Sequence, residues 1–233
     1  SAGQLVMSRK FEMRRCQLPC WPRVSLIIAL TLSLHSVEAQ DRHPLQSELE
    51  GLWTYEGDGG PTETLLDREA EGILTEAAEA YRSNWRIEEH DDEALCRARS
   101  PAALAGSAPD FEIFDGGVSV YIIAFEQVRR VYMDGRERPA GFWANKLGWS
   151  EGRWEGNTLV IRTTDLKEGS LPSPEPLLFG GPEAEMIERY TLSEGAGRLS
   201  VEVILEDPTY YIYPMEFSFE FVRSDKTLHG IDC

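Results

Sequence analysis

Two adjacent arginines, Arg129 and Arg130, are candidates for binding or catalysis because of their type and their place in the sequence. They stand just before Tyr132 in a stretch typical of a strand, where adjacent side chains face opposite ways. If Arg130 and Tyr132 share the inner face of a sheet, they could clamp a carboxylate or an oxyanion, because a guanidinium forms paired hydrogen bonds to such groups. The alternative is an arginine that pairs with an internal glutamate, such as Glu188 or Glu202, as a buried ion pair.

Acid–base catalysis would need a carboxylate that converges with a second polar group inside the fold. The candidates are Glu188 with Asp207, or a carboxylate with Tyr213. In a cofactor-free isomerase, cyclase or lyase, Arg130 would stabilise an oxyanion and Glu188 or Asp207 would move a proton. The chain has no nucleophile elbow, phosphate loop or dinucleotide fingerprint, and the acidic run 88–93 lacks the glycine spacing of a calcium loop. We therefore predict no cofactor and no bound metal.

Aromatic residues are spread along the chain and could form the walls of an apolar pocket. Such pockets combine many apolar side chains with a few polar anchors. The predicted ligand-binding set has Trp53, Tyr121 and Trp154 as walls and Arg130 and Tyr132 as anchors. The alternative use of the same rings is an ordinary packed core.

Two further tryptophans, Trp143 and Trp149, lie in an irregular segment interrupted by glycines. Aromatic residues in such segments are better placed for contact with a partner than those within strands. We therefore predict that Trp143 and Trp149 contact a partner protein. A structural subunit with a filled interior and no ligand would use the same segment.

The elements that must position these residues are mainly strands. Residues 199–205 and 215–221 alternate apolar and polar side chains with a period of two, as half-buried strands do. Glycine-containing turns at 115–117, 156–157 and 194–197 separate strand-like runs, which predicts hairpins. Eight or nine short antiparallel strands fit an up-and-down barrel or a strongly curved meander sheet. One short helix is predicted near residues 70–83, where Thr75 can cap it.

The first 39 residues have the layout of a secretory signal peptide. Basic residues precede an apolar run at 24–34, and Val37-Glu38-Ala39 offers a cleavage site after Ala39. The run has 11 residues, short of the roughly 20 that span a bilayer. We therefore predict a leader at 1–39, a single domain at 40–233 and a periplasmic or secreted location. An uncleaved signal anchor is the alternative, and membrane contact is expected only in that case.

The net charge bears on which partners the chain can bind, and the cysteines bear on whether it forms a disulfide. The net charge is −17, which repels phosphate backbones, so nucleic-acid binding is not expected. Cys96 and Cys233 would remain after cleavage, and an even pair in an oxidising compartment favours a disulfide. Two free buried thiols are the alternative.

Short motifs carry a resemblance to known barrels. Gly51-Leu52-Trp53 resembles the Gly-x-Trp motif that opens lipocalin barrels. Residues 128–136, 152–160 and 206–208, with the two late cysteines, are similar to segments in a broad set of uncharacterised exported bacterial proteins. That resemblance spans most of residues 49–233, and the Trp-Glu-Gly hairpin is its most specific part. It implies a lipocalin-like barrel and carries no function.

Histidines that members of this set often show are missing here. Their places hold Arg138, Trp149 and the acidic stretch 183–185. If those histidines bind metal or do chemistry in relatives, the resemblance implies that this chain lacks that ability. We therefore expect an exported, non-enzymatic protein that binds a small apolar or amphipathic molecule or docks on an envelope complex.

Overall fold

The computed structural model describes residues 42–56, 74–92, 95–107, 110–170, 178–179 and 183–228. The predicted leader lies outside the described residues. The described part is mainly β, and its strands close into a barrel. A barrel leaves no free sheet edge and places alternate side chains of every strand inside. The predicted mainly β, lipocalin-like barrel is confirmed.

Nine of the described strands form the wall of the barrel, and neighbours in sequence are neighbours around the ring apart from one excursion after β6. The wall strands are β1 Gly51–Tyr55, β2 Asp110–Asp115, β3 Ser119–Ala124, β4 Gln127–Tyr132, β5 Trp149–Glu155, β6 Thr158–Thr164, β9 Glu185–Leu192, β10 Arg198–Glu206 and β11 Met215–Ser224. The excursion contains a small two-stranded sheet of β7 Gly169–Ser170 and β8 Leu178–Phe179.

One pair of neighbours in the ring, β4 and β5, is parallel, with Val131 opposite Ser150 and Tyr132 opposite Glu151. The other eight pairs are antiparallel. Strands that alternate in direction cannot close a ring of nine without one parallel pair. The predicted antiparallel barrel therefore has one parallel seam, which the long connection 133–148 makes possible.

The interior is filled by the apolar face of each strand. Along β11, Met215, Phe217, Phe219 and Phe221 are buried, whereas the glutamates and serine between them are exposed. The same alternation holds along β9 and β10, and the inward side chains join one continuous core. Hydrophobic burial on alternate positions therefore explains why these segments become strands.

Short helices cover one end of the barrel. The predicted helix spans Glu76–Asn84 and begins where the Thr75 hydroxyl accepts a hydrogen bond from the Ala78 amide. Two more, Ile87–His90 and Pro101–Ser107, were not expected, so the prediction of a single helix is wrong. The last begins with proline at its first position and is capped by Ser100, whose hydroxyl accepts from the Ala103 amide. None of the helices in the described residues is long and apolar enough to cross a membrane.

The two ends of the barrel differ. We call the end with the helices the helical end: there the Thr75 hydroxyl donates to the Thr209 carbonyl, and the Arg99 amide donates to the side chain of Gln127, the first residue of β4. We call the opposite end, where β1 begins, the N-terminal end. A short 3-10 turn at Pro44–Gln46 lies there, and Gln46 donates to Asp115 at the end of β2.

Trp53 is held at the N-terminal end by an arginine of the last strand. The Arg223 guanidinium lies 4.5 Å from the centre of the Trp53 ring, and the indole Nε1 donates to the Leu49 carbonyl at 2.9 Å. The guanidinium also donates to the carbonyls of Glu48 and Glu50, both at 2.6 Å. One side chain thus joins β11 to the segment that leads into β1.

Replacing Arg223 with lysine should lower the free energy of unfolding by about 1–2 kcal/mol. A lysine keeps the charge, but its compact ammonium cannot reach several carbonyls while covering a ring as a planar guanidinium does. Urea unfolding would measure the loss. Lys226→Ala, on the exposed segment just after β11, serves as the control and should change stability little. A lysine variant as stable as the parent would contradict this role.

Candidate functional site

A cavity lies inside the barrel at the helical end, beneath the helix Pro101–Ser107. Its apolar lining consists of Pro101, Leu104, Phe111, Ile122, Ala124, Val201, Phe219 and Phe221. Three polar side chains, Arg129, Glu188 and Tyr190, complete the lining. The volume of the cavity open to water-sized molecules is about 40 Å³. One water needs roughly 10–15 Å³ on this measure, so the cavity has space for a few atoms.

A buried ion pair forms the polar part of this cavity. Arg129 Nη1 donates to Glu188 Oε1 at 3.0 Å, and Nη2 donates to Oε2, so the contact is bidentate. The side chains are only 4% and 2% exposed. Burial by itself would lower the pKa of Arg129, but the attraction of Glu188 outweighs it and the pKa is raised. The site therefore holds one positive and one negative charge that compensate each other.

Hydroxyl groups satisfy the remaining edges of the pair. Arg129 Nε donates to Ser150 Oγ at 3.0 Å, and Nη2 donates to Thr163 Oγ1 at 2.6 Å. The Tyr190 hydroxyl donates to Glu188 Oε1 at 2.8 Å. Burial, and then the nearby charge of Glu188, raise the pKa of Tyr190 well above its usual range, so this hydroxyl stays protonated. The network joins four neighbouring strands, β4, β5, β6 and β9.

The register of β4 decides which arginine enters the barrel. Arg129 and Val131 are buried, whereas Val128, Arg130 and Tyr132 face outward. The predicted placement of Arg130 and Tyr132 on the inner face is therefore wrong. Each face of this short strand carries a valine, so alternation alone could not select the inner one. The alternative prediction, an arginine paired with internal Glu188, describes Arg129.

Three of the five predicted ligand-binding residues lie together on the outer surface. The Arg130 guanidinium lies 4.8 Å from the centre of the Tyr132 ring and 5.8 Å from that of Tyr121. Its Nε donates to Ser119 Oγ at 3.0 Å. These residues form a cation–π cluster on the outside of β3 and β4, and none of them lines the cavity.

The other two predicted ligand-binding residues, Trp53 and Trp154, lie at the N-terminal end of the barrel. Trp154 stacks on His43, with ring centres 4.2 Å apart. The two rings border an opening of about 230 Å³, which Arg42 and Arg153 also line. Both arginines already have partners within the chain, Asp115 and Glu155, which leaves little charge free for a ligand.

The two predicted partner contacts differ in exposure. Trp143 is 85% exposed, whereas Trp149 is 5% exposed. Trp149 stacks on Tyr132 at 4.2 Å and meets the edge of Phe142 at 5.3 Å. Within this segment Trp143 is therefore available at the surface, and Trp149 holds the segment to the barrel.

Of the predicted acid–base pair, Glu188 lines the cavity and Asp207 does not. Asp207 Oδ1 accepts from the Thr209 amide at 3.2 Å, and its carbonyl accepts from the amides of Tyr210 and Tyr211. This carboxylate therefore stabilises the turn after β10. Tyr213 is 67% exposed. Cys96 takes part in a disulfide; Cys233 lies outside the described residues, so the pairing of the two stays a prediction.

Sequence reasoning missed Arg129, Tyr190 and Leu104 as site residues. Tyr190 was detectable, because Met186, Glu188, Tyr190 and Leu192 alternate along β9 and share the buried face. Leu104 belongs to a short helix rich in small residues, which has no amphipathic pattern to reveal it. Arg129 could be identified only if the inward face of β4 were known.

Comparisons with known proteins give no match: no protein-family model fits the chain, no curated protein is significantly similar to it, and no solved structure matches its fold. The geometry of the barrel is therefore the basis for assigning a function to this chain.

Proposed function

We propose that this chain is an exported, non-enzymatic, lipocalin-like protein that binds a small, uncharged amphipathic molecule in the cavity at the helical end. The observation that carries the proposal is the cavity's composition: aromatic and aliphatic walls around a compensated pair, Arg129 and Glu188. Ligand sites typically combine apolar walls with a few polar groups in this way. The signal-peptide layout of residues 1–39 supports export.

The charge balance of the pair selects the class of ligand. A carboxylate would enter beside Glu188 and an ammonium beside Arg129, and neither would find an uncompensated counter-charge. Burying such a group without a partner is costly. A hydroxyl group, in contrast, can donate a hydrogen bond to a Glu188 oxygen or to the Tyr190 oxygen at no charge penalty. The preferred ligand is therefore neutral, with one polar group on an apolar body.

The present cavity is smaller than most ligand sites, so binding must enlarge it. Its 40 Å³ compares with engineered cavities of roughly 150 Å³ that bind benzene. Pro101 and Leu104 form the roof, and both belong to the short helix at the helical end. An aromatic ring can enter if Leu104 moves outward. The strands of the wall are held to one another by hydrogen bonds, whereas the helix that carries Leu104 is not part of that ladder.

The test uses p-cresol, a small aromatic ring with one hydroxyl group, followed by protein NMR or calorimetry. Leu104→Ala removes the roof side chain and should tighten p-cresol binding about tenfold, since no side chain must be displaced. Ala124→Leu places three carbons into the cavity and should abolish binding. Ile212→Ala, at a 54% exposed position, is the matched control and should bind as the parent does.

Comparing probes of different polarity separates the contribution of the polar floor of the cavity, formed by Arg129, Glu188 and Tyr190, from that of its apolar walls. Toluene should bind more weakly than p-cresol, because it leaves the hydrogen bonds of the floor unused, and benzoate should not bind. Failure of p-cresol to bind both the parent and Leu104→Ala, with both folded by circular dichroism, would refute an interior ligand site. Native mass spectrometry of the chain isolated from its host's envelope would then identify the natural ligand as an adduct lost on denaturation.

Docking on an envelope complex is the second candidate function, and it is favoured by the exposure of Trp143. A tryptophan that is 85% exposed costs solvation free energy unless a partner covers it. Lys146 donates to the buried Asp92 at 2.8 Å, which ties the same connection to the helical segment. In this case Trp143→Ala would release the chain from the complex, whereas Ile212→Ala, at a 54% exposed position elsewhere, would not.

A further inference from the structure

The outer surface of β2, β3 and β4 is unusually apolar for the outside of a barrel. Its residues form two cross-strand rows: Glu112, Ile123 and Val128 in one, and Phe114, Tyr121 and Arg130 in the other. We call these six residues the Arg130 face. Phe114 is 50% exposed and Val128 is 54% exposed.

The outer surface of β11, which only β1 separates from β2 around the ring, provides the contrast. The outward residues of β11 are Glu216, Ser218 and Glu220, all exposed. A solvated wall normally looks like this, with polar residues at every outward position. Apolar side chains that are grouped on one side of a monomer mark a surface that another molecule covers.

The two charged residues of the Arg130 face have no ion-pair partner within the described residues. Arg130 uses its Nε on Ser119 and lies beside the rings of Tyr121 and Tyr132. Its terminal Nη groups therefore remain to bind a carboxylate. Glu112 is exposed and supplies such a carboxylate on the same face.

We propose that the Arg130 face binds a second copy of this chain in a symmetric dimer. In a face-to-face pair, a two-fold axis in the contact plane between Tyr121 and Ile123 sets each Arg130 opposite Glu112 of the other copy. The charge pair then forms twice. Phe114 and Val128 lie near the same axis, so each meets its own counterpart. One positive and one negative group at diagonal corners make the face complementary to itself.

The size of the face sets the strength of the contact. The three strands together span roughly 14 Å in width, and each has six residues and is roughly 20 Å long. This is a small interface, so the dimer should be transient, with a dissociation constant on the order of 100 µM. The net charge of −17 repels the two copies at long range, so association should be measured at about 0.15 M salt, where the Debye length is about 8 Å.

Sedimentation equilibrium between 10 and 500 µM protein tests the dimer, and these concentrations follow from the expected affinity. The parent should shift from monomer to dimer across the range. Arg130→Glu or Glu112→Arg should each hold the chain monomeric, because each places like charges opposite one another. The double variant Arg130→Glu/Glu112→Arg should dimerise again. An equimolar mixture of the two single variants should form a heterodimer in which both charge pairs are complete.

Glu216→Arg, on the outer surface of β11 and outside the Arg130 face, is the control and should dimerise as the parent does. Each variant changes an exposed side chain, and circular dichroism would verify that it folds. A parent that stays monomeric at 500 µM would overturn the proposal and leave the Arg130 face to a different protein. A dimer that survives Arg130→Glu, or single variants that fail to associate when mixed, would also overturn it.

Discussion

Replacing Glu188 with alanine should lower the free energy of unfolding by about 3–5 kcal/mol, the largest expected loss for any single charged residue of the barrel. The substitution leaves the Arg129 guanidinium inside the core without its counter-charge. Both side chains are less than 5% exposed, so water cannot replace the lost carboxylate. Chemical denaturation followed by tryptophan fluorescence would measure the change.

A paired substitution separates the cost of an orphaned charge from the worth of the ion pair. Arg129→Met/Glu188→Met removes both charges and keeps apolar volume, so it should lose less stability than Glu188→Ala does alone. Some loss remains, because Ser150, Thr163 and Tyr190 each lose a hydrogen-bond partner. Buried hydroxyls without partners cost stability, although less than a buried charge.

Glu185→Ala is the matched surface control. Glu185 sits three residues earlier on the same strand and pairs with Arg162, but its side chain is 34% exposed. The loss there should stay below about 1 kcal/mol. If Glu188→Ala lost no more than Glu185→Ala, the Arg129–Glu188 pair would not be the buried, compensated centre on which the proposed ligand preference depends.

Local patterns in the sequence predict most of the barrel wall. The period-two alternation along β10 and β11, and the glycine turns at 116–117 and 156–157, depend only on neighbouring residues. These signals predict the strands and hairpins correctly. The nine-strand closure is a property of the whole ring, so no local pattern reveals the parallel seam between β4 and β5.

The candidate site is less predictable than the wall. Which face of a strand points inward, and which segment covers the end of the barrel, both depend on tertiary contacts. If the opposite face of β4 pointed inward, Arg130 would lie inside the barrel and Arg129 outside. The positions of the buried ion pair and of the outer cation–π cluster therefore depend on which face of β4 points inward. The short helix Pro101–Ser107 lies over the cavity because the open end of a barrel exposes apolar side chains that need cover. Glu188 was identifiable as an internal carboxylate since its neighbours on β9 alternate clearly.

A glycine beside the site offers the second large effect. Gly148 has a φ of +66°, and a Cβ added there would lie 2.5 Å from the Thr164 carbonyl oxygen and 2.8 Å from Thr163 Cγ2. Gly148→Ala therefore adds both a strained backbone and a clash with the backbone of β6. We expect a loss of about 3–4 kcal/mol in the free energy of unfolding.

Gly156→Ala isolates the backbone part of that loss. Gly156 has a φ of +63°, almost the same as Gly148, but an added Cβ would meet nothing within 4 Å. Its loss should be about 1–2 kcal/mol, the cost of a left-handed conformation in a residue with a side chain. The difference between the two variants, measured by urea unfolding, is the cost of the clash alone. Equal losses of stability in the two variants would show that β6 moves away from the added methyl group at no cost.

The clash also reaches the proposed ligand site, so its effect is not confined to the turn around Gly148. The Thr163 hydroxyl accepts a hydrogen bond from Arg129 Nη2, and the hydroxyl of Ser150, two residues after Gly148, accepts one from Arg129 Nε. Moving β6 away from Gly148 must therefore move one of these contacts relative to the other. Gly148→Ala should weaken p-cresol binding as well as stability, whereas Gly156→Ala, at the far end of the same hairpin, should lower stability and leave binding unchanged.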